Sequence, residues 1–254
     1  MGKRNFREGN ELRPIRKKNC VRECEILFFY LSCPIYRVIS MLKYSIVFKR
    51  RTYIMAGIFG KLFSEEQREL SALEKIADQV LKYEPEMQAL SDDELRAKTD
   101  EYRKRIADGE TVDDLLPEAF AVCCEADYRV LGMFPFDVQI LGGIALHLCY
   151  LAEMNTGEGK TLTATMPLYL NGLTGKSTIL VTANEYLAIR DAEEMGQVYE
   201  FLGLSVKAGV TRDTNEHLNN DQKKEIYAAD IVYTTHGVLG FDYLLNNLVH
   251  SKED

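Results

Sequence analysis

The sequence predicts an α/β protein in which a helical lead-in is followed by a parallel sheet covered by helices. Three observations support this prediction. Helical patterns fill residues 64 to 148, short apolar runs alternate with longer helical ones after residue 150, and a glycine-rich turn leads into a helix at Lys160. Such alternation is typical of parallel strands joined by helical crossovers.

The lead-in contains four predicted helices. The first begins at Ser64, which is placed to cap it, and Pro85 is expected to end it. Ser91 and Glu94 have the spacing of a capping box, which predicts a second helix. The remaining boundaries are expected at about Ala107 for the second helix, Val112 past Pro117 to Val130 for the third, and Asp137 to Leu148 for the fourth.

The following residues predict strands and helices in alternation. The strands are expected at Tyr150 to Met154, Ser177 to Thr182, Ser205 to Val210 and Ile231 to Thr235. The helices are expected at Thr161 to Asn171, Glu185 to Leu202, Asp221 to Ala228 and Gly237 to Leu248. This alternation predicts a parallel sheet covered by helices on both faces. No internal repeat is visible.

Charge is distributed unevenly along the chain. The 254 residues are 46% hydrophobic and 28% charged, as in a soluble globular protein, and the net charge is -8. Residues Met1 to Ile54 carry thirteen Lys and Arg against four Glu, whereas the remainder carries eighteen against thirty-five acidic residues. The acidic main body argues against nonspecific nucleic-acid binding, which requires clustered positive charge.

The first 54 residues differ in kind from the rest. The largely apolar stretch from Ile26 to Phe48 is interrupted by Pro34, Arg37 and Lys43, so it lacks the length of clean apolar sequence that a spanning helix needs. Three interpretations stay open: a membrane-surface anchor, a poor signal sequence, and upstream sequence joined through a misplaced start. The last is favoured, because Met55 opens a segment that leads straight into the first helix.

The six cysteines do not have the spacing of a metal site. They include no CxxC pair, and no histidine lies at a ligand-like distance from them along the chain. We therefore expect reduced and mostly buried thiols rather than a zinc site or a disulfide framework.

The turn after the first predicted strand of the sheet has the features of a phosphate-binding loop. The segment Asn155-Thr156-Gly157-Glu158-Gly159-Lys160-Thr161 begins a helix, whose N–H groups and positive end would point at bound phosphate. Gly157 and Gly159 allow close approach of the backbone, Lys160 would reach the β- and γ-phosphates, and the Thr161 hydroxyl would bind Mg²⁺. Met154 replaces the first glycine of the strict pattern, which predicts the tighter T-G-x-G-K-T variant.

A segment about twenty residues upstream is a candidate for recognition of the base. It reads Met133-Phe134-Pro135-Phe136-Asp137-Val138-Gln139. The Gln139 amide offers a donor and an acceptor that suit the adenine edge, and Phe136 offers a ring for stacking or packing. Together with the loop, Met133, Phe136 and Gln139 complete the predicted nucleotide-binding set.

These segments resemble the SecA family of preprotein translocase ATPases. The family's first nucleotide-binding domain reads F-D-V-Q-x-x-G-G and then A-E-M-x-T-G-E-G-K-T-L-T-A-T, which match Phe136 to Gln139 with Gly142-Gly143, and Ala152 to Thr165. The similarity continues in order from about Gly57 to Leu248. Further matching segments are Val181 to Leu187, Arg190 to Glu193, Phe201 to Leu204, Tyr227 to Ile231 and Gly240 to Leu244.

Some departures from the family pattern point to one branch of the family. Phe134 replaces an arginine often found there, and His236-Gly237 stands where Asn residues are common. With Met166 to Leu170 and Glu185 to Leu187, these differences look more like the second, accessory SecA of Gram-positive bacteria.

The resemblance implies a RecA-like motor domain that uses ATP and Mg²⁺. In such a protein Gln139 would contact adenine, the segment from Gly157 to Thr161 would hold the phosphates, and Arg190 would relay nucleotide state. The implied partners are a SecY-type channel, preproteins and the anionic membrane surface, with no specific nucleic acid. The implied location is cytoplasmic, peripheral on the inner face of the cell membrane, and a homodimer of the full-length protein stays open.

The residues present are expected to form an incomplete first motor domain. The acidic Mg²⁺-binding motif and the second motor domain of the family do not occur before Asp254, so we expect a protein-secreting ATPase family but no turnover by this chain alone. The alternatives are a non-catalytic nucleotide-binding or interaction fragment and a superfamily 2 helicase-like ATPase. The expected division is an extension at 1–54, a helical part at 55–132 and a nucleotide-binding part at 133–254.

Overall fold

The computed structural model describes residues 25–28, 46–47, 65–211 and 218–248. Its first helices are α1 (Glu65–Ala89), α2 (Asp92–Ala107), α3 (Val112–Leu131) and α4 (Asp137–His147), which confirms the helical lead-in. The predicted cap at Ser64 lies outside the described residues. Helix α3 packs between α1 and α5 (Lys160–Gly172), so the lead-in and the rest of the described chain share one apolar core.

The prediction that Pro85 ends the first helix is wrong. Helix α1 passes through Pro85 and continues to Ala89. A proline inside a helix removes one backbone hydrogen bond and crowds the preceding turn, at a cost of about 3 kcal/mol. Burial of Met87 beyond the proline offsets this, because a fully buried side chain of this size contributes about 1.5–3 kcal/mol.

The predicted capping box at the start of α2 is confirmed. The Ser91 backbone N–H donates to Glu94 Oε2 over 2.8 Å, and the Glu94 N–H donates back to Ser91 Oγ over 3.4 Å. Thr111 caps α3 in the same way by accepting a hydrogen bond from the Asp114 N–H. These side chains satisfy N–H groups that the first helical turn leaves without partners.

The strands of the main sheet are parallel, as predicted. Strand β4 (Thr178–Thr182) pairs on one side with β6 (Ile231–Thr235), with Thr178 opposite Ile231. Strand β5 (Val206–Ala208) pairs with the other edge of β6, and β1 (Glu25–Phe28) pairs with β4. The strand order is therefore β1-β4-β6-β5.

The strand before the glycine-rich turn is shorter than predicted and lies in a different sheet. Strand β3 (Ala152–Glu153) pairs with β2 (Ile46–Val47) in a two-stranded parallel sheet. Cys149 has a left-handed backbone with φ of 64°, and the Tyr150 N–H donates to Ala145 O at the end of α4. The closing turn of α4 therefore uses residues that the sequence assigned to the strand.

Helices cover both faces of the main sheet, as predicted. One face packs against α5 and α6 (Glu185–Phe201) through residues such as Leu180 and Tyr233. On the other face, Ile179, Val181 and Val232 pack against partly buried side chains of α7 (Asn220–Tyr227) and α8 (His236–Leu248). Helices α5 to α8 begin and end within one residue of their predicted bounds.

Helix α8 has an exposed apolar stripe. The large side chains of this stripe recur at helical spacing and are more than half exposed: Phe241, Leu244, Leu245 and Leu248. The helix is held on the fold by Val238 and by Asp242, whose carboxylate accepts hydrogen bonds from the Lys223 ammonium and the Tyr227 hydroxyl. Only one side of this helix is therefore packed within the described residues.

Candidate nucleotide-binding site

The glycine-rich turn lies between β3 and α5 and bends at its two glycines. Gly157 and Gly159 have φ values of 88° and 76°, a conformation that favours glycine. Gly159 is the N-cap of α5, and no side chain caps the first N–H groups of that helix. This is the arrangement in which helix N–H groups are available to an anion.

Gln139 holds this turn against the start of α4. Its side-chain Oε1 accepts a hydrogen bond from the Phe136 N–H at 2.7 Å, and its Nε2 donates to Glu158 O at 3.0 Å and Gly159 O at 3.3 Å. The residue is only 4% exposed. The structure thus brings Gln139 to the predicted phosphate loop, where its amide braces the backbone.

The close approach of Gln139 explains the glycine at 159. A Cβ atom built at this position would lie 2.1 Å from Gln139 Nε2, a separation that side chains do not adopt. No atom lies within 4 Å of a Cβ built at Gly157. A side chain at position 159 is therefore opposed by backbone conformation and would also displace the Gln139 amide, whereas at position 157 conformation alone opposes it.

Glu158 and Asn155 close the loop on itself. The Asn155 N–H and Nδ2 donate to the two carboxylate oxygens of Glu158 at 2.7 and 2.8 Å. These hydrogen bonds from Asn155 lower the pKa of Glu158, so the carboxylate stays ionised. Both of its oxygens are occupied within the loop.

Lys160 and Thr161 stand at the start of α5, where the sequence predicted them. The Lys160 ammonium donates to Asn155 O at 2.9 Å, which ties its side chain back across the loop. Lys160 and Thr161 line a small pocket together with Thr182 at the end of β4 and Tyr233 on β6. Lys160 and Thr161 thus border the same small concave surface.

Met154 is a core residue under the loop. Its side chain is buried, its sulfur accepts a hydrogen bond from Thr163 Oγ1 at 3.5 Å, and a Cβ at Gly142 would lie 3.3 Å from it. The residue that replaces the first glycine of the strict pattern therefore packs between α4 and α5. The turn proper begins at Asn155.

Phe136 and Met133 lie on the surface beside Gln139. Phe136 is 74% exposed and Met133 is about half exposed. Their apolar surfaces are available for a ligand, and contact of Phe136, Met133 and Gln139 with a base stays a prediction. The same holds for the assignment of phosphate contacts to residues 157–161.

Asp191 also lies at this pocket, and the sequence analysis did not assign it a role of its own. It lies on α6 and lines the pocket with Lys160 and Thr161, and its side chain is 4% exposed. Arg190 donates to its Oδ1, with a distance of 2.9 Å from Nε. Burial raises the pKa of Asp191, and the Arg190 guanidinium opposes that rise. A signal was present in the sequence, because Asp191 falls on the apolar face that Ala188, Ala192 and Met195 define.

The described thiols and acidic groups form no separate metal centre. Cys123 and Cys124 are buried and Cys149 is exposed, whereas Cys20, Cys24 and Cys33 lie outside the described residues. In the described ranges, no three or more His, Cys, Asp or Glu side chains come together as a metal site. None of the helices described in the structure is long and apolar enough to cross a membrane.

A parallel sheet covered by helices, with a glycine-rich loop opening one of them, defines a RecA-like α/β domain. The SecA DEAD-like domain matches residues 59–254. The chain belongs to the SecA family, which confirms the resemblance of its motifs.

The curated relatives support the accessory branch of the family. The protein translocase subunit SecA 2 of Streptococcus sanguinis strain SK36 is 60% identical over 185 residues, which cover 73% of this chain and 23% of that relative. SecA 2 of Streptococcus agalactiae serotype V is 56% identical over 194 residues, covering 76% and 24%, and that of Streptococcus gordonii is 57% identical over 182 residues, covering 72% and 23%. The chain thus spans about a quarter of the length of these relatives.

Proposed function

We propose that this chain is the nucleotide-binding part of an ATP-driven preprotein translocase motor. The observation that carries the proposal is the closed glycine-rich loop with Lys160 at the start of α5, in a chain that is 60% identical to a protein translocase subunit. Coupling of ATP hydrolysis to export through a SecY-type channel belongs to the whole protein.

The proposed phosphate site consists of Gly157, Glu158, Gly159, Lys160 and Thr161. Lys160 exchanges its bond to Asn155 O for the phosphates, and N–H groups at the start of α5 donate to them. Glu158 acts through its backbone, because its carboxylate is occupied by Asn155. This arrangement would stabilise the negative charges of a nucleoside di- or triphosphate.

The base is proposed to bind over the exposed surface beside the loop. Phe136 would stack on it, Met133 would pack at its edge, and Gln139 would recognise adenine. The Gln139 amide is already bonded to the Phe136 N–H and to Glu158 O in the loop. A base that contacts Gln139 would therefore also affect the conformation of the loop. Base binding and phosphate binding would therefore be coupled.

Mg²⁺ is proposed to bind together with the nucleotide and would neutralise part of the charge on its phosphates. Thr161 supplies a hydroxyl oxygen, and the pocket contains no thiol or imidazole that would favour a softer metal. A magnesium ion bound to a nucleotide needs few protein ligands, because phosphates and water supply the rest. The proposed ligand from the loop is the Thr161 hydroxyl.

The proposed partners follow the SecA assignment. They are a SecY-type channel, preproteins and the anionic surface at the inner face of the cell membrane, where the protein would be peripheral. The thirteen Lys and Arg of residues 1–54 support attraction to an anionic surface, and the acidic remainder argues against a nucleic-acid partner. The proposed division at residues 54 and 132 follows composition and sequence similarity rather than packing, because β1 and β2 pair with β4 and β3 and the helical part shares one core with the rest.

We propose further that the 254 residues bind ATP without hydrolysing it by themselves. Phosphoryl transfer depends on positioned charges and an oriented water. Among the described residues of the site, the Glu158 carboxylate is occupied by Asn155 and that of Asp191 is paired with Arg190. Purified chain at saturating ATP is expected to release no phosphate above a protein-free blank, and turnover that Lys160→Ala abolishes would contradict this expectation.

Calorimetric titration with ADP in the presence of Mg²⁺ tests the proposed site. Lys160→Ala is expected to weaken ADP by about 2 kcal/mol, or about 30-fold, which is the scale of a charge-assisted hydrogen bond. The matched control is Lys104→Ala, which removes an exposed lysine from α2 and should leave the affinity unchanged. Equal affinities of Lys160→Ala and the unmodified chain would refute the assignment.

A further inference from the structure

Asn155 holds both carboxylate oxygens of Glu158. Its backbone N–H donates to Oε2 at 2.7 Å, and its side-chain Nδ2 donates to Oε1 at 2.8 Å. The family pattern A-E-M-x-T-G-E-G-K-T leaves the position of Asn155 open. The motif therefore does not explain why an amide side chain stands there.

Lys160 is bonded to an uncharged group of the same residue. Its ammonium donates to the Asn155 carbonyl oxygen at 2.9 Å, and that oxygen also accepts from the Glu158 N–H at 3.2 Å. Hydrogen bonds between two ionised groups are stronger than those to a neutral carbonyl, so this contact is exchanged for phosphate more easily than a salt bridge would be. The lysine is thus held in place while its charge stays uncompensated by this contact.

Glu158 is the loop carboxylate that would compete with phosphate for Lys160. It stands two positions before the lysine and is exposed, so packing does not fix its side chain. Hydrogen bonds from the Asn155 side chain and backbone lower the pKa of Glu158, and the charge of Lys160 adds to that effect. The ionised carboxylate and the ammonium therefore already attract each other across the loop.

The side-chain contact of Asn155 is separate from the contacts that shape the loop backbone. Gln139 donates to Glu158 O and Gly159 O, which braces the turn without touching the Glu158 carboxylate. The Asn155 amide instead binds the carboxylate itself. Removing this amide therefore releases a charged side chain and leaves the brace from Gln139 in place.

We propose that Asn155 is a positioning residue of the nucleotide site, whose amide keeps the Glu158 carboxylate from pairing with Lys160 and so leaves the lysine available to phosphate. The inference rests on the proposed function and deepens it. Without the amide, Glu158 would form a salt bridge with Lys160, and an incoming phosphate would have to break that salt bridge. Asn155 acts on the lysine through Glu158 and needs no contact with the phosphates.

Calorimetric titration of Asn155→Ala with ADP in the presence of Mg²⁺ tests the proposal. The variant removes the bond from Nδ2, and the affinity is expected to fall about fivefold, the scale of one hydrogen bond. The matched control is Asn247→Ala, which removes an exposed amide bonded to Tyr243 O on α8 and should leave the affinity unchanged. Unchanged affinity in Asn155→Ala would overturn the proposal.

Glu158→Gln distinguishes restraint of a charge from support of the loop's shape. Added to Asn155→Ala, it removes the competing charge and should restore most of the lost affinity. It should also raise the affinity more in that variant than in the unmodified chain, where the carboxylate is already restrained. A double variant that binds no more tightly than Asn155→Ala would overturn the proposal, and so would an equal gain from Glu158→Gln in both backgrounds.

The unmodified chain and Lys160→Ala separate the possible failures. If the unmodified chain does not bind ADP, the proposed function fails and this inference fails with it. If Lys160→Ala weakens ADP binding as expected and Asn155→Ala does not, this inference alone is overturned. Far-ultraviolet circular dichroism establishes that the variants compared are folded.

Discussion

Substitution of Gly159 by alanine tests the geometry of the loop most directly. The added Cβ would lie 2.1 Å from Gln139 Nε2, and the backbone at this residue has φ of 76°. The alanine therefore meets two obstacles, a left-handed backbone and a buried side chain that must move. Gly157→Ala meets only the first, because φ is 88° there and nothing lies within 4 Å of its Cβ.

The two obstacles have separable magnitudes. A left-handed backbone at a residue with a side chain costs about 1–2 kcal/mol. Moving Gln139 also breaks its bonds to Glu158 O and Gly159 O, each contributing about 1 kcal/mol. We therefore expect the free energy of unfolding to fall by about 3–4 kcal/mol in Gly159→Ala and by about 1–2 kcal/mol in Gly157→Ala.

Urea denaturation followed by circular dichroism measures both variants against the unmodified chain. The double variant Gly159→Ala with Gln139→Ala removes the side chain that the new Cβ would meet. Its loss of stability should therefore be smaller than the sum of the two single losses. Equal losses in Gly159→Ala and Gly157→Ala would show that Gln139 does not hold the loop as described.

Three more predictions concern the base, the core and the extension. Gln139→Ala should lower the affinity for ADP more than the affinity for GDP in competition binding. Equal losses of affinity would show that Gln139 supports the loop and does not recognise adenine. Burial raises the pKa of Asp127, so the folded chain keeps a proton that the unfolded chain releases. The free energy of unfolding should thus fall as pH rises from the ordinary carboxyl range toward that raised pKa, and Asp127→Asn, which still accepts from Thr165, should reduce the fall in urea titrations at several pH values. Residues 55–254 should express at least as well as the whole chain and bind ADP equally tightly, because the family match begins at residue 59. Weaker calorimetric binding of ADP by residues 55–254 would show that residues 1–54 contribute to the site.

Local sequence rules predicted the elements whose signals are complete within a few residues. Strand β6 has its predicted bounds because five apolar or β-branched residues stand between a turn and a helix. The capping box of α2 needs only Ser91 and Glu94, three residues apart. Pro85 misled the prediction because the residues that hold α1 together beyond it, such as Met87, act through tertiary burial.

The position of the loop at the start of α5 was predicted from the sequence, but the contacts within the loop were not. The strand–glycine–lysine order placed Lys160 and Thr161 at the start of a helix from sequence alone. The bond between Gln139 and Glu158 joins residues nineteen apart, so no local pattern encodes it. The pairing of Glu158 with Asn155 spans three residues and was open to local reasoning. The sequence marks Asp191 as a carboxylate on the apolar face of α6, but only the fold shows that this face lies beside the loop.

The one-sided packing of α8 sets how its amide hydrogens exchange with solvent. Helix α3 is enclosed by other helices, so its amides are released only when much of the domain unfolds. Helix α8 is anchored by few side chains, among them Val238 and Asp242, and its apolar stripe already faces water. Local opening of α8 would expose little further surface, so urea should barely accelerate it. Deuterium uptake in α8 is therefore expected to proceed through local opening and to depend little on urea. Uptake in α3 is expected to follow global unfolding.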